Sequence, residues 1–393
     1  MDFDLRITKP DYSGGSIVNL MASIKAHFGV VDESYPELNE MPASALAGKD
    51  RVILVVIDGL GADLLNNFSR RLESENLQDY QRARITSVYP PTTASAVTTF
   101  MSGQAPQQHA LTGWFMNFRE IGATTAVLPF ISRFGRAGLS AQGVDINRLV
   151  TCQHVADELP INSAMLLPQE IADSDFSRCL GGRAKRLGYR GLGEFARELA
   201  SFIEASDDTR YLYAYWSELD HLSHMHGPSH ERVYDHFLAL QDALLPVMTA
   251  AAAKNCALIM TADHGFLDSG PNECLALEDH PQLADMLAMP LFGEPRSAYC
   301  ILRKGCDDEF EDYIRRELDD YLHAVPSTEL IENGWFGLGV PHRELAARVG
   351  DYTLQMKQRY TIRDRLVSEP PFDLFGMHGG ITAAEQWVPL LLA

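Results

Sequence analysis

The sequence is poor in positive charge. Its 33 Lys and Arg stand against 53 Asp and Glu, a formal net charge of −20 over 393 residues. A protein that grips duplex nucleic acid neutralises phosphates with a basic face, so that class of partner is disfavoured. An acidic chain still handles small phosphorylated molecules when bound cations supply the local positive charge. Cysteine is scarce too, with six residues (Cys152, Cys179, Cys256, Cys274, Cys300, Cys306) and no C-x-x-C pair. That spacing argues against a disulfide frame and a thiolate zinc site. It reads as the reduced thiols of a cytoplasmic protein. No run of about 18 apolar residues occurs, so no membrane span is expected. The opening "MDFDLRITKPDYSGG" has neither a basic n-region nor an apolar h-region, so no signal peptide is expected. Internal repeats, low-complexity tracts and long linkers are also missing.

What is present is a set of apolar runs. Hydrophobic content of 46% is ordinary for a globular protein. The length suits two or three domains, or one large domain with insertions. "RVILVVI" from Arg51 is continuous and rich in Val and Ile, the pattern of a parallel strand buried on both faces. Similar runs are "YLYAYW" (211–216), "CALIMTA" (256–262), "AYCIL" (298–302) and "WVPLLLA" (387–393). Helical spacing appears in 16–29, 192–205 and 232–253. Strands alternating with helices predict an α/β fold with a doubly wound, mostly parallel sheet. Residues 1–280 and 376–393 form the expected core. Segment 281–375, and a smaller excursion at 104–175, would cover the sheet edge where ligands bind.

Polar residues of one kind follow the strands. Asp58 follows the first and Asp263-His264-Gly265 follows another. "SELDHLSHMHG" (217–227) follows a third. Asp220 and His224 are spaced i, i+4, which puts both on one face of a helical turn. His378 lies in "FGMHGG". Carboxylate oxygen and imidazole nitrogen are ligands that zinc accepts. Paired ions about 3.5–4 Å apart are a standard device for displacement at phosphorus. Taken singly, each piece reads as a turn, a cap or a solvated loop. Independent turns have no reason to carry one ligand chemistry at successive strand ends. The remaining stretch, "SVYPPTTASAVTTFMSG" (87–103), is a turn followed by a small-residue helix. Its N-terminus offers N–H groups to an anion, and Thr92 or Thr93 offers a hydroxyl that is either a nucleophile or a cap.

These blocks, with "VVIDGLGADLL" and "MTADHGF", resemble the type I phosphodiesterase / nucleotide pyrophosphatase family of the alkaline phosphatase superfamily. The resemblance runs from the strand at Arg51 to Gly380. It implies two metal ions, typically zinc, with manganese as the alternative, and a threonine that is transiently phosphorylated. By this resemblance Asp58, Thr93, Asp263 and His264 hold one ion, and Asp220, His224 and His378 hold the other. Thr93 is the implied nucleophile, with Thr92 beside it as the alternative. Leu219 and Ser223 replace the Pro and Gly usual around the family's Asp-x-x-x-His. Ala96 offers no donor to the phosphoryl oxygens, which leaves that role to Ser95 or a backbone N–H. Tyr89 is a candidate wall for a second ester group and Arg296 in "GEPRSAY" a candidate substrate contact. The expected partner is a small phosphoester of nucleotide type, cleaved at a diester or pyrophosphate bond. Phosphonate or monoester hydrolysis is the alternative on the same core, and a catalytically degenerate nucleotide binder the alternative outside enzymes.

Overall fold

The computed structural model describes residues 1, 3–205, 207–367, 369 and 373–393; residues 2, 206, 368 and 370–372 lie outside the description. Arg51–Ile57, buried from Val52 onward, is the middle strand of a seven-stranded sheet. The order across that sheet is 81–86, 387–392, 256–261, 51–57, 209–216, 162–168, 185–189. All pairings among 51–57, 162–168, 185–189, 209–216 and 256–261 are parallel. Trp387–Leu392 runs against both of its neighbours. A continuous apolar run buries side chains on both faces, so helices must cover both. In one layer Ile17–His27 and Asp175–Leu180 pack on Thr93–Ser102. In another, Gly191–Glu204 and Glu218–His226 pack on Glu231–Ala252. No helix among the described residues is long and apolar enough to cross a membrane.

A second seven-stranded sheet has the order 322–326, 352–356, 297–300, 292–294, 115–118, 123–126, 131–132. All its pairings are antiparallel. The two excursions therefore share one sheet. Three details differ from the sequence reading. The run at 298–302 belongs to this second sheet, because its apolar residues pack with Leu283, Phe310, Leu322 and Leu354 in a separate core. The excursion 104–175 is too long as drawn, because Asn162–Pro168 is an inner strand of the central sheet. Gln81–Thr86 and Lys185–Tyr189, both edge strands, carry too much polar sequence to read as strands.

Sheet order is what builds the site. The strands 256–261, 51–57 and 209–216 are neighbours and parallel, so their carboxyl ends lie side by side. Strand order reverses about 51–57, and ligands bind in open sheets at such a point.

Candidate active site

Asp58 leaves the central strand with its amide bonded to Trp216 O at 2.8 Å, which ties the ends of two strands together. One of its oxygens, Oδ2, accepts the Tyr215 hydroxyl. Asp263 Oδ1 accepts the amides of Gly59 and His264, both at 3.0 Å. The other oxygens, Asp58 Oδ1 and Asp263 Oδ2, are buried with no hydrogen-bond partner, and so is Asp220 Oδ1 on the helix Glu218–His226. Gly265 completes the D-H-G triplet because the chains cross tightly there. A Cβ at that position would lie 2.0 Å from Ala384 O.

The three histidines share one arrangement. The Nδ1 atoms of His224, His264 and His378 lie 2.8, 3.1 and 3.2 Å from the carbonyls of Gly376, Gly265 and Pro91. A carbonyl only accepts, so each Nδ1 carries the proton and each Nε2 keeps its lone pair. Those Nε2 atoms face the unpartnered carboxylates. His264 Nε2 is 3.2 Å from Asp58 Oδ1, 3.4 Å from Asp263 Oδ2 and 3.9 Å from Asp220 Oδ1. His378 Nε2 is 3.8 Å from Asp220 Oδ1, and His224 Nε2 is 3.5 Å from it. His224 and His378 set their Nε2 atoms 3.1 Å apart. Two lone pairs facing at that distance repel unless something electropositive lies between them. Among the described residues, two groups have the spacing of a metal site: Asp58, Asp263 and His264, and Asp220, His264 and His378. The residues fit divalent cations.

Burial sets the electrostatics. It pushes the Asp58 carboxyl up to about 6, partly offset by its polar neighbours Asp263, Tyr215 and Thr93. Burial first, and the neighbouring carboxylates second, raise Asp220 and Asp263 well above the usual range. Burial lowers His224 to about 4 and takes His378 well below its ordinary value. A bound divalent cation reverses this logic for the carboxylates, because it favours their charged form.

Thr93 opens the helix Thr93–Ser102 and is the one residue of 91–100 that is not buried. Its Oγ1 lies 3.3 Å from His264 Nε2. Thr92 does not cap the helix; its hydroxyl donates instead to Glu294 Oε1 at 2.6 Å. The hydroxyl is thereby occupied.

Three expected contacts sit elsewhere. Tyr89 is fully buried against Trp335 and Phe336, and its hydroxyl is held by Ser297 and Gln355. It is a core residue rather than a wall of the site. Arg296 is fully buried in a bidentate pair with Glu385, at 2.6 and 3.0 Å. Nη1 and Nη2 also donate to Tyr360 O and Gln358 O, so four of its five N–H groups are taken up inside the core. Ser95 is fully buried, because two residues along a helix turn the side chain by about 200° from Thr93. Its hydroxyl is buried with no hydrogen-bond partner, and its backbone N–H is among the free donors of the first helical turn. The chain pattern gave no signal for Tyr215, Glu294 or the half-exposed Trp114, since their placement depends on the pairing of distant strands.

Solved structures match this architecture at low identity. Murine ectonucleotide pyrophosphatase / phosphodiesterase 5 is 16% identical, with a TM-score of 0.62 over 87% of each chain. An inactive threonine-to-alanine variant of the same murine protein, in complex with AMP, is 15% identical, with a TM-score of 0.63 over 88% of each chain. Phosphonoacetate hydrolase from Sinorhizobium meliloti 1021, in complex with phosphonoformate, is 14% identical, with a TM-score of 0.61 over 88% of this chain and 90% of that one. A search of curated proteins returns no match. The family model for type I phosphodiesterase / nucleotide pyrophosphatase matches residues 52–380. The chain belongs to the type I phosphodiesterase / nucleotide pyrophosphatase family of hydrolases.

Proposed function

We propose that the protein is a two-metal phosphoesterase that cleaves phosphodiester or pyrophosphate bonds of nucleotide-type substrates through a phosphothreonine. One observation carries the reading. Three imidazole lone pairs and three unpartnered carboxylate oxygens converge beside the one open residue of a helix N-terminus, Thr93. Asp58, Thr93, Asp263 and His264 would hold one ion and Asp220, His224 and His378 the other, with zinc or manganese suited to this oxygen and nitrogen set. Bound there, the ions would supply positive charge against the phosphoryl oxygens and lower the pKa of a hydroxyl.

The chain's own groups do the rest. Thr93 Oγ forms a bond to phosphorus while the bond from phosphorus to the leaving oxygen breaks. Water then cleaves the phosphothreonine, releasing the phosphate product and restoring the hydroxyl. The amides of the first helical turn lie where the phosphoryl oxygens gather charge. Gly376, Gly265 and Pro91 hold the imidazoles in one tautomer throughout. The inactive threonine variant of the murine protein supports a catalytic threonine here.

A diester is favoured over a monoester or a carboxylated phosphonate. A second negative charge needs a further cationic group, and Arg296, the candidate, is spent on Glu385. Glu294 also lies within electrostatic reach of His264 and Asp220. We place the enzyme in a reducing compartment, the cytoplasm, since all six cysteines are free. The test compares kcat/KM for a nitrophenyl ester of thymidine 5′-monophosphate, nitrophenyl phosphate and phosphonoacetate, with metal content measured alongside. About two ions per chain and a diester preference are expected. A monoester advantage of about tenfold, worth about 1.4 kcal/mol in the transition state, would overturn the substrate class. Full activity after chelation, with no metal found, would overturn the reading itself.

A further inference from the structure

The hairpin of Phe292–Glu294 and Ser297–Cys300 sends two charged side chains to different sides of the site. Arg296 goes to Glu385, whose Oε1 also accepts the Gly380 amide at 2.7 Å, next to the loop of His378. Glu294 goes to the nucleophile helix. Its Oε1 accepts the Thr92 hydroxyl and the Trp114 amide, both at 2.6 Å. It also packs beside Gly379, where an added Cβ would lie 3.1 Å from Glu294 Cβ and Cγ. One buried side chain thus bonds the residue before Thr93 and the chain entering the strand Phe115–Phe118 with its carboxyl, and packs its methylenes beside the residue after His378. Substrate charge does not explain an acid here, since it opposes a phosphate. Its contacts do.

We propose that Glu294 is a positioning residue that fixes the first turn of the nucleophile helix, and with it the Thr93 hydroxyl, against the second sheet. This rests on Thr93 being the nucleophile. Without Glu294, the Thr92 side chain is released to fold back on its own helix, the usual place for a threonine at that position. The backbone before Thr93 then relaxes, and a misplacement of about 1 Å costs about 10²-fold in rate.

The experiment measures kcat and KM on the thymidine diester for wild type, Glu294→Gln, Glu294→Ala, Thr92→Val and Thr93→Ala. Hydrogen exchange is followed at the Trp114 amide. Gln keeps an acceptor oxygen for two neutral donors, so Glu294→Gln should stay within about threefold of wild type. Glu294→Ala should lose about 10²-fold in kcat with little change in KM, and its Trp114 amide should exchange faster. Thr92→Val, which removes one donor and leaves Glu294 in place, should lose about tenfold in kcat; it decides the matter if Glu294→Ala does not fold. Wild-type kcat in Glu294→Ala or Thr92→Val, with Thr93→Ala dead, would overturn the proposal. So would a Gln variant as slow as the Ala variant, or a loss confined to KM. Full turnover in Thr93→Ala would instead overturn the nucleophile assignment, and that variant alone separates the two failures.

Discussion

Thr92 and Thr93 are the same residue side by side, and burial and the destination of each hydroxyl tell them apart. Thr93→Ala should lower kcat by at least about 10³-fold, as loss of a nucleophile does. Thr92→Ala should cost about tenfold, because it loses one hydrogen bond. A dead Thr92 variant beside an active Thr93 variant would reverse the assignment. His109 makes a different prediction. Its Nδ1 accepts the Leu111 amide at 3.0 Å, so Nε2 carries the proton toward Thr99 Oγ1 at 3.2 Å. Burial, helped by His342 and Arg348, lowers it to about 3. Above the unfolded value near 6.5 both states are neutral. As pH falls below that, the unfolded chain takes up a proton that the folded chain refuses, so stability drains away between about 6.5 and 3. Urea unfolding from pH 7 to 4 should show a flatter profile in His109→Gln than in wild type; identical slopes would refute it. The candidate ligands were legible in sequence as polar residues at strand ends and on one helical turn, and the structure gathers Asp58, Asp220, Asp263, His264 and His378 into groups with metal-site spacing. Tyr89 and Arg296 misled because nearness along the chain says nothing about which way a side chain points.

At the scale of elements, the pair of Arg296 and Glu385 shows what joins the two sheets. Both side chains are fully buried. Glu385 Oε2 also accepts from the Thr382 hydroxyl at 2.6 Å. Arg296→Met leaves that carboxylate buried without its cation, a loss of about 3–5 kcal/mol. Denaturant midpoints should fall accordingly, and an unchanged midpoint would mean the pair carries no weight. Strands buried on two faces, such as Arg51–Ile57, announce themselves as apolar runs. Ser297–Cys300 has the same pattern yet joins the other sheet, because burial does not say which core does the burying. The strand Phe115–Phe118 escaped notice because it is only four residues long; it pairs with Ala123–Ala126 as a local hairpin and meets Phe292–Glu294 at one residue pair, Phe115 with Gly293.

For the whole molecule, the crowded carboxylates of Asp58, Asp220 and Asp263 are a cost that a cation removes. Metal that binds only the folded chain should raise the thermal midpoint of chelated protein as its concentration rises. Zinc or manganese should do so, and His378→Ala should shrink the shift. No shift with either ion would count against the metal site independently of any assay. The central sheet has a further consequence, in the time order of synthesis. Gln81–Thr86 meets the sheet only through Trp387–Leu392, which lies between it and Cys256–Thr261. The partner is made 301 residues later (387 − 86), a wait of about 15–60 s at ribosomal speed. During that wait the segment, apart from Thr86 with its bridge to Ser16, is a strand without a neighbour. Its exposed Arg82 and Arg84, the polar sequence that hid it from a strand reading, are the charges that keep such an edge from pairing with another nascent chain.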